Sequence, residues 1–248
     1  QSFEKEQIWQ FLHEKNKDGD NSLHRAAAFA KSKEVFEFLL TKIDKLYENK
    51  EELKTFLLIK GNNDRNALIV SITKQNENTF FFLFEHVFCK IFNIKEFAYE
   101  IDEDGENLLH YLARFGSVSM LKFALEKLKN EFSPEDLQNF IKLKNKDGDN
   151  LLHLAAAFSK FKEVCELLWL KIEELFEDKE ELKTYLLTKG QYESNALLKS
   201  IEQQNENTFY FLFEQVFCKI FSIKEFAYES DDYGENLLHC LARYGSVS

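Results

Sequence analysis

Residues 104–116, with the sequence DGENLLHYLARFG, decide the fold of this 248-residue chain. Asp104 and Gly105 favour a tight turn, because glycine takes backbone angles that other residues avoid and aspartate bonds nearby N–H groups. Asn107 is typical of the position just before a helix, and the apolar and small residues after it recur at helical spacing. The same turn and short helix return around Leu23, Leu152 and Leu238.

The chain contains a tandem duplication. Residues 16–21 recur as 145–150, and residues 80–95 recur almost intact as 209–224. The offset is 129 residues throughout, and roughly 70% of the paired positions are identical. The sequence therefore predicts two copies of one larger unit.

Each copy divides again into shorter repeats of about 43 residues. An asparagine opens an apolar helical pattern at six places, spaced 45, 41 or 43 residues apart: Asn21, Asn66, Asn107, Asn150, Asn195 and Asn236. Stacked repeats of this length are typical of a solenoid. We predict a single solenoid over 1–248, with the end of a preceding repeat at 1–15, repeats at 16–60, 61–101, 102–144, 145–189 and 190–230, and a partial sixth repeat at 231–248. The chain is thus expected to be an internal segment of a longer array.

The pattern within one repeat predicts helices only. Leu23 opens a short first helix with a small-residue face, and a longer second helix follows it. The acidic Glu51 and Glu52 suit the start of a short third helix, which we expect to end before Gly61 and, in the second copy, before Gly190. One proline and eight glycines are too few for an all-β protein, so the predicted class is all-α.

Aromatic residues cover every side of the second helix in repeats two and five. This predicts helices that are buried nearly all round, although an exposed edge would offer an apolar patch to a partner or to a second copy of the chain. Trp9 and Trp169 are expected to be packing residues. The aromatic positions are Phe80, Phe81, Phe82, Phe84 and Phe88, with Phe209, Tyr210, Phe211, Phe213 and Phe217 in the second copy.

Residues 104–116 resemble the ankyrin repeat signature, in which a DG turn precedes TPLH-x-AA-x-x-G. Repeats one, four and six show the same pattern, so the resemblance covers essentially the whole chain. The proline of the signature is absent everywhere, and repeats two and five have Ile69 and Leu198 where the histidine is expected. Ankyrin repeats usually have 33 residues, so the additional length here predicts a helix pair plus a short third helix in each of six ankyrin-like repeats.

The ankyrin resemblance gives one recurring histidine a structural role. It implies that His24, His110, His153 and His239 bond turn backbone between neighbouring repeats. A shared metal is excluded, because successive repeats stand about 10 Å apart and zinc bonds are near 2 Å long. The acidic turns only faintly resemble calcium loops, since helices begin too soon after them for an EF-hand.

Composition excludes several classes of function. The formal net charge of −11 argues against nucleic acid and against anionic membranes, and no apolar run is long enough to insert into a bilayer. The four cysteines form no CxxC pair, so we expect reduced helix-core residues and no metal site. Motifs for nucleophilic catalysis and nucleotide binding are absent, so we expect neither enzyme activity nor a cofactor.

The ankyrin resemblance implies a protein-binding scaffold that contacts its partner through the concave surface of turns and first helices. Because the turns carry a row of acids, we predict a partner with a basic contact face. The expected location is the cytoplasm. Alternatives are the ankyrin segment of a large effector or toxin, acting in a host cytosol, and the cytosolic array of a membrane channel. The predicted contact residues are Asp18, Asp20, Arg25, Asp104, Glu106, Tyr111, Arg114, Asp147, Asp149, Leu154, Tyr233, Glu235 and Arg243.

Overall fold

The chain divides into two compact units, Gln1–Glu103 and Asp104–Ser248, which we call unit 1 and unit 2. The computed structural model describes residues 5–30, 33–47 and 49–245. Both units are built from helices, so the predicted all-α helical-repeat class is confirmed. The division falls between predicted repeats two and three and not at the junction of the duplicated copies, whereas the single solenoid over 1–248 stays a prediction. Parts of the predicted end segments, 1–4 and 246–248, lie outside the described residues.

Unit 1 contains helices of three predicted segments. The α-helices are α1 (Lys5–His13), α2 (Ser22–Phe29), α3 (Lys33–Leu46), α4 (Lys50–Leu57), α5 (Ala67–Thr73), α6 (Glu77–Phe82), α7 (Cys89–Ile91) and α8 (Ile94–Ala98). The helix α4 is the predicted third helix of repeat one.

Unit 2 contains the helices of predicted repeats three to six. Its α-helices are α9 (Leu108–Phe115), α10 (Val118–Glu131), α11 (Pro134–Ile141), α12 (Leu151–Phe158), α13 (Lys162–Leu175), α14 (Lys179–Leu186), α15 (Ala196–Glu202), α16 (Glu206–Tyr210), α17 (Cys218–Ile220), α18 (Ile223–Phe226) and α19 (Leu237–Tyr244). None of the helices in the described part of the chain is long and apolar enough to cross a membrane.

An asparagine caps the first helix of every repeat. In repeat one, the Asn21 side-chain oxygen accepts hydrogen bonds from the backbone N–H groups of Leu23 and His24, at 3.0 and 3.2 Å. These are N–H groups that a helix start leaves without an internal partner. The same cap, to one or two N–H groups, forms at Asn66, Asn107, Asn150, Asn195 and Asn236.

The turn before α12, residues 145–149, has the predicted chemistry. The Asn145 side-chain oxygen accepts from the backbone N–H groups of Asp147 and Asp149, at 3.1 and 2.9 Å. Gly148 has a φ of 82°, a left-handed conformation that glycine adopts without steric cost. We call this segment turn 4, and the equivalent segments turn 1 (16–20), turn 2 (61–65), turn 5 (190–194) and turn 6 (231–235).

The third helices end before Gly61 and Gly190, as expected, although the residues that cap them are Leu58 and Leu187 and not the glycines. Helices α4 and α14 end at Leu57 and Leu186, several residues earlier. A Cβ atom on Gly61 would lie 2.5 Å from the Asp20 side-chain oxygen, so glycine is required because turn 1 approaches this point closely.

The first helices form the inner packing layer of each unit. In unit 1, α2 packs against α5, and in unit 2, α12 lies between α9 and α15. Small side chains such as Ala27, Ala155 and Ala156 are fully buried at these contacts and let the helices approach closely. Each first helix therefore needs its neighbours to cover it, as expected for a repeat protein.

The second helix of repeats two and five contains a π-helical segment. Leu83–Phe88 continues α6 into α7, and Phe211–Phe217 continues α16 into α17. The burial predicted for these helices holds on one side, where Phe80 and Phe88 are fully buried. It is wrong for Tyr210, which is 51% exposed.

The two tryptophans differ in burial. Trp169 on α13 is 5% exposed, as a packing residue should be. Trp9 on α1 is 47% exposed and stacks on the His13 ring, with ring centroids 4.0 Å apart. The expectation of a packing role for both tryptophans therefore fits Trp169 better than Trp9.

Candidate functional site

The repeat histidines join each first helix to the segment that leads into the next repeat. His24 Nε2 lies 3.0 Å from the backbone oxygens of both Ile59 and Arg65, so this nitrogen carries the proton and donates. Its Nδ1 accepts from the Asn21 N–H at 3.3 Å, which completes a capping box. His110 and His153 bond the backbone of the following segment in the same way.

Burial holds two of these rings in the neutral form. It lowers the pKa of His153 to about 4, and the positive charge of Lys199 acts in the same direction. Burial also lowers the pKa of His24. In contrast, His239 is exposed, and its Nδ1 accepts from the Asn236 N–H at 3.2 Å. Nitrogens used in this way position the turns and leave no lone pair for a metal.

The turns of unit 2 are joined to one another by hydrogen bonds. The backbone N–H of Lys146 donates to the Asp104 oxygen at 2.8 Å, and that of Asp232 donates to the Tyr192 oxygen at 3.0 Å. Between these, the Gln191 N–H donates to the Asp149 carboxylate at 3.0 Å. The turns therefore form one connected row along this unit.

Two tyrosines stand exposed on turns 5 and 6. Tyr192 is 53% exposed and Tyr233 is 73% exposed. Exposed acids lie on the same two turns and on turn 4. We define the tip patch as Asp147, Tyr192, Glu193, Asp232 and Tyr233, all of which are exposed.

Tyr192 has an unusual backbone conformation. Its φ is 60° and that of Glu193 is 53°, a region that side chains other than those of glycine, asparagine and aspartate rarely adopt. In the first copy, the equivalent residues Asn63 and Asp64 have φ values of 53° and 58°. The second copy thus keeps the turn while replacing residues that suit it with a tyrosine and a glutamate.

A buried ion pair supports turn 5 from below. Lys199 is 1% exposed, and its Nζ lies 3.3 Å from the Asp149 carboxylate and 3.1 Å from the Gln191 backbone oxygen. The same Nζ lies 5.6 Å from the centre of the Tyr192 ring. Val70 occupies the position of Lys199 in the first copy, so the charge is specific to the second.

A second buried polar contact adjoins this pair. The Ser194 hydroxyl donates to the Glu202 carboxylate. Burial raises the pKa of Glu202, and the nearby carboxylates of Asp231 and Asp149 act in the same direction. Because Ser194 is fully buried, we interpret this contact as support for the turn and not as a nucleophile and its base.

About half of the predicted contact residues are exposed to solvent in the structure. Asp18 and Arg25 are exposed on unit 1, while Asp20 is half-buried because its carboxylate accepts from the Asn62 N–H at 3.0 Å. On unit 2, Asp104, Asp147, Tyr233 and Arg243 are exposed, whereas Arg114 and Glu235 are half-buried.

Four predicted contact residues are buried, so their assignment to a partner surface is wrong. Asp149 lies under turn 5 with Lys199, and Tyr111 and Leu154 lie between first helices, each with no more than 2% of its surface exposed. Glu106 is 3% exposed and pairs with Arg114 at 2.7 Å. Position in the ankyrin repeat does not predict exposure here, because the adjoining first helices cover Tyr111 and Leu154 while ion pairs hold Asp149 and Glu106.

Tyr192 was not predicted as a contact residue from the sequence, although it is 53% exposed on turn 5. The only sequence signal was the comparison of the copies, in which Asn63 is replaced by Tyr192 and Asp104 by Tyr233. Together, the two changes place one aromatic ring on turn 5 and one on the adjoining turn 6.

One group of possible metal ligands occurs among the described residues. Ligand atoms of Asp231, Glu235 and Cys240 lie within 4.8 Å of one another. Burial raises the pKa of Cys240 to about 11, with the acids nearby acting in the same direction, and Glu235 is already paired with Arg243 at 3.0 Å. A protonated thiol and a carboxylate that is already paired with an arginine do not make a favourable metal site.

Comparison with known proteins finds similarity in fold. No family model matches the chain, and no curated protein matches it. A solved structure, described as the Bd0816 predatory endopeptidase from Bdellovibrio bacteriovorus in complex with immunity protein Bd3460, is similar with a TM-score of 0.54 and 19% sequence identity. The match covers 82% of this chain and 85% of the other. At this identity, the likeness concerns the fold alone.

Proposed function

We propose that this chain is a non-catalytic, ankyrin-type array that binds another protein through the tip patch of unit 2, and that the partner presents a basic face. The observation that carries the proposal is the tip patch itself, where two exposed tyrosines stand among exposed acids. The similar structure belongs to a protein complex, which agrees with a binding role.

The chemistry of the tip patch fits lysine and arginine side chains. Asp147, Glu193 and Asp232 supply negative charge, and the faces of Tyr192 and Tyr233 attract cations. Aromatic side chains are also enriched at the centres of protein interfaces, because they bury much apolar area with few rotatable bonds. The hydrogen bonds between turns hold this surface in place before binding, which reduces the entropy lost on association.

The charge part of the proposal is tested with the variant Asp147→Asn/Asp232→Asn. The structure assigns no hydrogen bond to either carboxylate, so the turns should keep their geometry. We expect proteins retained from a lysate by the intact chain to be lost by this variant, and their retention to weaken as salt rises. Quantitative mass spectrometry of the retained fraction at several salt concentrations is the measurement.

The matched control is Glu131→Gln/Glu173→Gln, which removes two exposed negative charges from α10 and α13 of the same unit. It should retain the same proteins as the unmodified chain. If the two variants behave alike, or if retention does not depend on salt, the tip patch is not the binding surface.

A further inference from the structure

Unit 1 contains an open groove between its repeats. The groove has a volume of about 570 Å³ and lies between α3, α4 and the segment from Phe82 through α7. Ten residues line it, among them Leu40, Thr41, Leu53, Leu57, His86 and Val87. This volume is within the range of ligand-binding clefts.

The chemistry of the groove is apolar inside and polar at its edge. Leu53, Leu57 and Val87 are buried side chains that form its floor. His86 and Lys90 are exposed at the edge. Such a site favours a large apolar group that carries one polar atom. One wall is the π-helical segment, a distortion that is frequent at functional sites.

The second copy has the same framework around a different central residue. Helices α13 and α14 have the same bounds as α3 and α4 after the shift of 129 residues, and a π-helical segment follows them in both copies. Seven of the ten lining residues are identical between the copies. At the position of Leu40, which is half-buried, the second copy has Trp169, which is 5% exposed.

The two copies differ in the side chain that stands at the centre of this framework. In unit 2 the chain itself supplies an indole ring at this position, that of Trp169 on α13, and only 5% of the residue is exposed. In unit 1 the shorter Leu40 leaves that space open, and His86 and Thr41 replace Gln215 and Leu170 at its edge. The imidazole of His86 can accept a hydrogen bond from an indole N–H.

We propose that the groove of unit 1 binds a tryptophan side chain presented by another protein. The site is separate from the tip patch, since all of its residues belong to unit 1. The proposal for the groove therefore does not depend on the proposed function of the tip patch.

The first test uses N-acetyl-L-tryptophanamide as the probe, followed by ¹H–¹⁵N spectra of the full chain. We expect saturable shifts at Leu40 and His86, and no such shifts with N-acetyl-L-leucinamide. The absence of saturable shifts in the groove, or equal shifts with the leucine probe, would overturn the proposal.

Exchanging Leu40 and Trp169 between the two copies tests which residue leaves the groove open for binding. Leu40→Trp should abolish the shifts and raise the thermal midpoint, because the new ring fills the groove from within. Trp169→Leu should open the equivalent space and add a second binding site in unit 2. Circular dichroism shows that each variant is folded, and if Trp169→Leu unfolds, Leu40→Trp alone decides. Unchanged binding by folded Leu40→Trp contradicts the proposal.

A third experiment distinguishes a protein partner from a small-molecule ligand. The peptide Gly-Gly-Trp-Gly-Gly should bind at least as tightly as free indole, because the groove is open enough to admit a flanking backbone. If indole binds and the peptide does not, the groove is a small-molecule site and the proposed occupant is wrong.

Discussion

Residues 61–73 and 190–202 are two versions of one structure. Both begin with a glycine that approaches an aspartate closely, continue through two residues of positive φ, and enter a first helix capped by asparagine. In the first version the turn residues are Asn63 and Asp64, and Val70 lies below them. In the second, Tyr192 and Glu193 form the turn above the buried Lys199.

The difference shows how one backbone can carry different chemistry. Asparagine and aspartate suit the left-handed region, and valine suits a buried helix face, so the first version is locally consistent. The second version breaks both preferences, and Lys199 compensates by bonding Asp149 and the turn backbone. Local departures of this kind are expected at functional sites.

The largest expected effect comes from the aspartate that faces each turn. Asp149→Asn should cost about 3–5 kcal/mol in the free energy of unfolding, because it leaves the Lys199 charge buried without a counter-charge. Asp20→Asn should cost about 1 kcal/mol or less, because Val70 needs no partner and the amide oxygen can still accept from the Asn62 N–H. Urea unfolding followed by circular dichroism measures both.

Lys199→Val provides the rescue for that pair. It installs the residue of the first copy, so Asp149→Asn/Lys199→Val should recover most of the stability lost by Asp149→Asn alone. Equal costs for Asp149→Asn and Asp20→Asn would show that the ion pair does not distinguish the two turns.

The lowered pKa values of the buried repeat histidines should make the free energy of unfolding depend on pH. The pKa of His153 is about 4 in the folded chain and 6.5 when unperturbed, so the unfolded chain binds a proton that the folded chain does not. Its stabilising effect is complete above pH 6.5 and should be lost as the pH falls towards 4, by about 1 kcal/mol per pH unit. His24 acts in the same direction.

The raised pKa of Glu202 opposes this slope, since its protonation favours the folded chain as the pH falls. We therefore expect urea unfolding at several pH values to show a flatter dependence for His153→Gln and a steeper one for Glu202→Gln. A His153→Gln variant with the full slope of the unmodified chain would contradict the assignment.

The smallest expected effect concerns the backbone of the turns. Tyr192→Asn should raise the free energy of unfolding by about 1 kcal/mol or less, because asparagine tolerates the left-handed region better than tyrosine. The lost contact between the ring and Lys199 reduces this gain. The reverse exchange, Asn63→Tyr, should lower stability by a similar amount, and thermal midpoints measure both changes. A loss of stability in Tyr192→Asn would show that the ring contact outweighs the backbone strain.

Much of the fold could be predicted from local sequence. Asn21 and its counterparts, the glycine of each turn and the recurring histidine all act through bonds within a few residues or at a fixed repeat distance. The contact surface could be predicted only in part, because exposure depends on which side chains neighbouring helices cover. Tyr111 and Leu154 were expected to be exposed by their place in the repeat, yet the adjoining first helices bury them.

The sequence by itself determined the period of the repeat, the start of each first helix and the duplication of the larger unit. Tertiary structure decided what the differences between the copies mean. Lys199 is a charge held under a turn only because helix packing buries it against Asp149. Leu40 lines an open groove, whereas Trp169 at the same position of the second copy is buried. Burial and open space arise between segments distant in the chain, so no local pattern reports them.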